Sequence, residues 1–240
     1  MVLKICIVSF LFISSIAWTQ IDGKAYYKVQ IQIPENSKET PQEFQEFERK
    51  LARMANNVLY ELSFKNSTSR FRIVESMNSD ENKLVTQNIF DSGEYYIDSH
   101  TNIIQNRKTL ENKKYIINLE PLCWTILNES RVVNGYECIK AISSQIFYSE
   151  RKGVNQTQEI VAWFTPEIPV SLGPKQFYGL PGLVVEVTGE GATYTLDKLK
   201  VKNDSVKITP FTKGEEVSIE EFQRIQKRLR NSFKKYFSIE

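Results

Sequence analysis

Between Tyr60 and Val201 the chain reads as one short β-type run after another: YELSF, RFRIVE, KLVTQNIF, EYYID, TNIIQNR, KYIINLE, CWTIL, YECIKAIS, EIVAWF, LVVEVT and TYTLDKLKV. Turn-forming residues separate them at KNSTS, DSGE, NESRVVNG and TGEGA. Strands that follow one another through short turns, with no helical stretch between them, pair antiparallel rather than as βαβ units. An earlier segment, AYYKVQIQI, sets Tyr27, Val29, Ile31 and Ile33 on one face and Lys28, Gln30 and Gln32 on the other, the alternation of a half-buried strand. The expected fold is mainly β within the α+β class. It is one large curved antiparallel sheet or open half-barrel with two helices packed on it.

The first of those helices is expected over about 41–57, where Phe44, Phe47, Leu51, Met54, Ala55, Val58 and Leu59 recur at spacings of three and four. Thr40, Pro41 and Glu43 supply its N-cap, first-turn proline and capping-box acid. The second is expected over about 218–236, with Phe222, Ile225, Leu229, Phe233 and Phe237 in a stripe and Ser218 with Glu221 as a second capping box.

Residues 1–20 carry Lys4, an apolar run from Ile5 to Ile13 and small residues at Ser14, Ser15 and Ala17. The run is too short for a membrane span, which needs about 20 apolar residues, and has the layout of a secretory signal. Residues 21–240 are then expected to form one β-rich domain with no transmembrane segment left after processing. A formal charge of +2 creates no field that invites nucleic acid. Export would leave Cys123 and Cys138 in a compartment that permits disulfides. A reversal near Ser130 and Arg131 would set these two nearly opposite, giving either a disulfide or, after a one-residue slip of register, two separate thiols.

A long proline-bearing connection, AWFTPEIPVSLGPKQFYGL, leads into the densest local motif, Gly179-Leu180-Pro181-Gly182-Leu183. Pro181 followed by Gly182 has the chemistry of a type II turn, with glycine at the positive-φ position, and Gly179 allows close backbone approach. The aromatic side chains around this connection make Trp163, Phe164, Phe177, Tyr178 and Leu180 the candidate binding residues. They line a groove if the connection is a lid, and fill the core if it closes the sheet.

The run from Ala162 to Val187, with CWTILNESRVVNGYECIKA upstream, resembles the GLPGLI family of secreted envelope proteins of Gram-negative bacteria. The resemblance rests on Gly179, Leu180, Pro181, Gly182 and Leu183, with Val184 in place of isoleucine. Trp124, Gly135, Tyr136, Cys138, Lys140 and Ala141 match the upstream pattern, and Trp163, Thr165, Pro166, Pro169, Gly173, Pro174 and Phe177 match the approach. It implies export to the periplasm, the outer membrane or the exterior and a mostly antiparallel sheet. The family has no established activity, so it implies no catalytic residue.

Chemistry-bearing constellations are sparse. His100 is the one histidine, in a turn beside Asp98 and Ser99, and residues adjacent in one turn do not converge as a catalytic triad does. One histidine with two distant cysteines does not make a zinc or copper site. Glu186 lies in an apolar run, where alternation turns it to solvent. No phosphate loop, dinucleotide fingerprint, nucleophile elbow or metalloprotease motif occurs. Four Asn-x-Ser/Thr triplets begin at Asn66, Asn128, Asn155 and Asn203 and mark surface loops. The expectation is a non-enzymatic envelope protein, without metal or cofactor. Its partner would be an apolar small molecule or an outer-membrane or periplasmic protein. Alternatives are an accessory docking through Arg224, Lys227, Arg228, Arg230, Lys234 and Lys235 of the terminal helix, and a carboxylate-dependent hydrolase.

Overall fold

The computed structural model describes residues 21–31, 58–74, 93–149, 154–189, 191–201 and 207–237, with isolated positions 46, 49 and 53. The proposed signal segment, the run KLVTQNIF and nearly all of the helix expected over 41–57 lie outside the described residues. Glu46, Arg49 and Arg53 are helical and exposed.

Among the described residues, twelve strands build a single open sheet. In chain order they are β1 (Gly23–Ile31), β2 (Leu59–Lys65), β3 (Thr68–Ile73), β4 (Glu94–Asp98), β5 (Ile103–Leu110) and β6 (Lys113–Asn118). After them come β7 (Thr125–Val133), β8 (Tyr136–Ser149), β9 (Val154–Thr165), β10 (Leu183–Gly189), β11 (Ala192–Val201) and β12 (Glu215–Val217), and then helix α1 (Ile219–Phe237). The spatial order is β12-β6-β5-β4-β3-β2-β1-β11-β10-β9-β8-β7. Every pairing is antiparallel except β12 with β6. The expected mainly-β class, antiparallel sheet and terminal helix are therefore all present.

Local chemistry fixes the hairpins. Asn134 and Gly135 have φ of 47° and 86°, and Glu111 and Asn112 have 48° and 63°, so β7–β8 and β5–β6 close through two-residue loops with both central residues at positive φ. The reversal expected near Ser130 and Arg131 lies instead at Asn134–Gly135. Strand β7 continues through Asn128-Glu129-Ser130-Arg131, with a register irregularity between Ile126 and Ser130.

Pairing register puts Tyr27, Tyr60, Phe71, Tyr95, Tyr194, Val187, Ala162 and Ala141 on one face, the inner one, where all are buried. Tyr60 stacks on Phe71 with centroids 5.1 Å apart, and Tyr194 meets both rings edge-on. The Tyr27 hydroxyl donates to the Val184 carbonyl at 2.7 Å, and full burial drives its pKa upward. At the far end α1 packs Phe222 against Tyr115 of β6, at 5.5 Å. Ser218 caps the helix, its hydroxyl accepting from the Glu221 amide at 3.1 Å, as the sequence indicates. On the outer face the segment before β12 is held by Phe211, whose ring lies under the guanidinium groups of Arg70 (4.8 Å) and Arg107 (4.3 Å).

Candidate functional site

The connection from Thr165 to Leu183 leaves and re-enters the sheet at directly paired residues, so it is a closed loop whose ends meet. It lies across the inner face. Tyr178 donates through its hydroxyl to Asn102 Oδ1 at 3.2 Å in the β4–β5 turn, while Trp124 Nε1 donates to the Tyr178 carbonyl at 2.8 Å. Backbone bonds tie the loop to itself and to β10: Gly179 N to Ser171 O (3.3 Å), Leu183 N to Ile168 O (3.0 Å) and Val184 N to Leu172 O (3.0 Å). Ile168, Val170, Leu172, Phe177, Tyr178 and Leu180 are all buried in the main core cluster.

Of the five candidate binding residues, Phe164, Phe177, Tyr178 and Leu180 are therefore brought together as core, at 1, 1, 4 and 1 % exposure. They face the sheet interior rather than an open groove. Burial, with the charges of Asp98 and Glu120, also raises the Tyr178 pKa.

The motif glycines exchange the roles expected of them. Gly179 carries the positive φ, 95°, and Gly182 lies outside the left-handed region. A Cβ at Gly182 would lie 2.1 Å from the Thr165 carbonyl oxygen, so this position needs glycine for close approach. The Gly182 amide donates to the Leu180 carbonyl at 2.8 Å, closing a three-residue turn around Pro181 in place of a type II turn.

The cysteines are both free, Cys123 exposed and Cys138 buried. Cys138 pairs with Arg131, while the Cys123 carbonyl accepts from Ser143 Oγ at 2.7 Å. Cys123 thus lies some five residues farther along β8 than Cys138, roughly 17 Å at about 3.3 Å per residue, far beyond disulfide reach. The shifted turn and an irregularity between Ile126 and Ser130 cause the separation. Burial pushes the Cys138 thiol up to about 11.

Trp163 stands apart. It is only partly buried and lies on the outer face, since Lys140, Trp163, Glu186 and Thr195 are successive register partners across β8, β9, β10 and β11. Arg131 reaches over the same ring, its guanidinium carbon 4.0 Å from the centroid, and forms an ion pair with Glu186. The Lys140 ammonium is 5.9 Å from the ring and 2.9 Å from Glu129. Glu186 also accepts from Thr195 Oγ1 at 3.2 Å, so it faces outward as alternation requires but is ion-paired. This aromatic and charged strip is the best assembled candidate surface. Arg131 and Glu129 are not legible as strand residues because Asn128-Glu129-Ser130-Arg131 has the composition of a turn. Asn134-Gly135 was the signal that would have placed them.

Elsewhere, His100 is exposed in its turn, its amide donating to Asp98 Oδ1 at 3.0 Å. Glu221, Arg224, Lys227 and Arg228 border a recess of about 520 Å³ on α1. The side chains of Arg230, Lys234 and Lys235 lie outside the description. Among the described residues, no group of three or more His, Cys, Asp or Glu is placed to hold a metal ion, and no helix is long and apolar enough to cross a membrane.

Residues 124–186 match the model of a protein family of unknown function, Porph_ging. That span runs from Trp124 to Glu186 and holds both the loop and the Trp163 strip. No curated protein matches the chain. Among solved structures, that of PNGF-II in the C2 space group superposes with a TM-score of 0.52 at 12 % identity, over 85 % of this chain and 32 % of that one. The same protein in the P21 space group gives 0.49 at 12 % identity over the same shares. The chain thus spans about a third of the length of the structure it resembles, and the likeness is one of fold.

Proposed function

We propose that this chain is a non-enzymatic, exported envelope protein of the GLPGLI type that binds a protein partner through the outer face of its sheet. The observation that carries this is the Trp163 strip. A partly buried tryptophan under the Arg131 guanidinium joins two residue types that dominate binding energy in protein interfaces, and Lys140, Glu129 and Glu186 supply a charged rim around them. An apolar small molecule is the weaker partner, because the aromatic residues that would line its groove are packed in the core. Affinity recovery from envelope extracts tests the proposal. Trp163→Ala and Arg131→Glu should each lose the partner that the unaltered chain retains, and unchanged recovery by both variants would reject it.

The recess on α1 supports a second reading, an accessory that docks an acidic partner through Arg224, Lys227 and Arg228. Charge reversal at Arg224 and Lys227 should then abolish recovery while Trp163→Ala leaves it intact.

A further inference from the structure

Like charges set directly opposite each other on adjacent strands destabilise the pair. Nevertheless Lys24 of β1 faces Lys200 of β11. The same pair of strands sets Tyr26 opposite Lys198 and carries Lys28 four residues beyond Lys24, so these lysines cover roughly 13 Å of the outer face at 3.3 Å per residue. Arg72 joins them across β2 and β3.

The carboxylates nearby are already committed. Glu61, only 6 % exposed, is held by Lys24 at 3.1 Å, by Arg72 at 3.4 Å and by the Ser63 hydroxyl at 2.9 Å. Asp197 pairs with Lys28 at 2.5 Å. Lys198 and Lys200 are exposed, and neither has an ion-pair partner among the described residues; the Lys200 ammonium lies 5.4 Å above the Tyr26 ring. Five cations thus face two carboxylates, an excess of three on one patch of a chain whose whole net charge is +2.

We infer that this face of β1 and β11 docks on an anionic lipid surface. The patch is dominated by ammonium groups, compact charges on flexible stems, and its one guanidinium, that of Arg72, is turned to Glu61. It therefore lacks the planar fork that grips a single phosphate or carboxylate bidentately. Spread over one face of a sheet, such charges instead suit many mobile headgroups whose attraction adds up lysine by lysine and decays within a Debye length. Glu61 offsets the charge of Lys24, whereas Lys198 and Lys200 have no carboxylate partner among the described residues, and a negative plane supplies one. This inference rests on the lysines of β1 and β11 and not on Trp163 itself; the strip meets the patch only where Thr195 of β11 lies opposite Lys28.

Co-sedimentation of the full chain with vesicles of phosphatidylcholine, alone or mixed with phosphatidylglycerol, tests it. Binding should require the anionic lipid, weaken as salt is raised, and fall on the order of tenfold or more in Lys198→Glu/Lys200→Glu, with a smaller loss in Lys198→Gln/Lys200→Gln. The reversed variant should fold at least as stably as the parent, since a glutamate at 200 faces Lys24, so lost binding would not reflect unfolding. Trp163→Ala and Arg224→Glu/Lys227→Glu should bind vesicles as the parent does. The inference is overturned by equal binding to neutral vesicles, by indifference to both Lys198/Lys200 variants, or by dependence on the α1 reversal.

Discussion

Replacing Phe177 by alanine separates a packed loop from a mobile lid. The ring is 1 % exposed and belongs to the main core cluster, together with Leu172, Leu180 and Val184. Its transfer from water accounts for about 2–3 kcal/mol. The loop is pinned at Gly179, Leu183 and Val184 by backbone bonds and cannot collapse freely into the void, so the cavity term is largely retained. The total loss should be about 3–5 kcal/mol, a large share of the 5–15 kcal/mol typical of a folded domain. With a guanidinium dependence of roughly 4 kcal/mol per molar for a chain of this size, the unfolding midpoint should drop by about 1 M. Equilibrium denaturation followed by far-ultraviolet circular dichroism reads this directly. A loss below about 1 kcal/mol would show that the ring contributes no core packing, and the loop would then be a lid.

At Glu61, burial raises the carboxyl pKa, but hydrogen bonds from Lys24 and Ser63 and the charges of Lys24 and Arg72 outweigh it and hold the group below its ordinary value. A depressed folded pKa means that its contribution is complete above the unfolded value of about 4.3 and is lost as pH falls through the folded one; Glu61→Gln should flatten that acid limb in a pH series of denaturation midpoints. Iodoacetamide labelling followed by mass spectrometry should modify Cys123 in the native protein and Cys138 only after unfolding, and a recovered Cys123–Cys138 cross-link would refute the register of β7 on β8. Gly182→Ala should destabilise more than Gly179→Asn, because a Cβ at 182 meets a backbone oxygen whereas asparagine tolerates positive φ. Thermal melts showing the reverse order would restore the type II turn.

The sheet was legible because most of its strands are half-buried, so period-two alternation is written into their sequences. Strand β7 broke that code. It is a terminal strand of the sheet, exposed at nearly every position, and its Asn-Glu-Ser-Arg content has no alternating apolar face to betray an edge. Strand β12 is three residues long and pairs parallel to β6 from almost a hundred residues away, a contact with no local signature. The glycine exchange has the same origin: the need for glycine at 182 comes from Thr165, across the whole length of the loop, whereas the Pro-Gly dipeptide advertises only a local turn.

For the candidate site, composition identified the aromatic residues but not the side of the sheet they serve. Apolar residues around a proline-rich loop look alike whether the loop is a lid or a plug. Parity along β9 was the usable clue. Trp163 and Phe164 are adjacent and must point to opposite faces; Phe164 aligns with Ile139 and Val184 in the core, and Trp163 with Lys140 and Glu186. A strand partner with lysine on one side and glutamate on the other marks an outward position. Because the loop and the strand aromatics fill the inner face, the exposed charged and aromatic groups of these strands lie on the outer one. There the Trp163 strip and the lysines of β1 and β11 are joined through Glu186, Thr195 and Lys28.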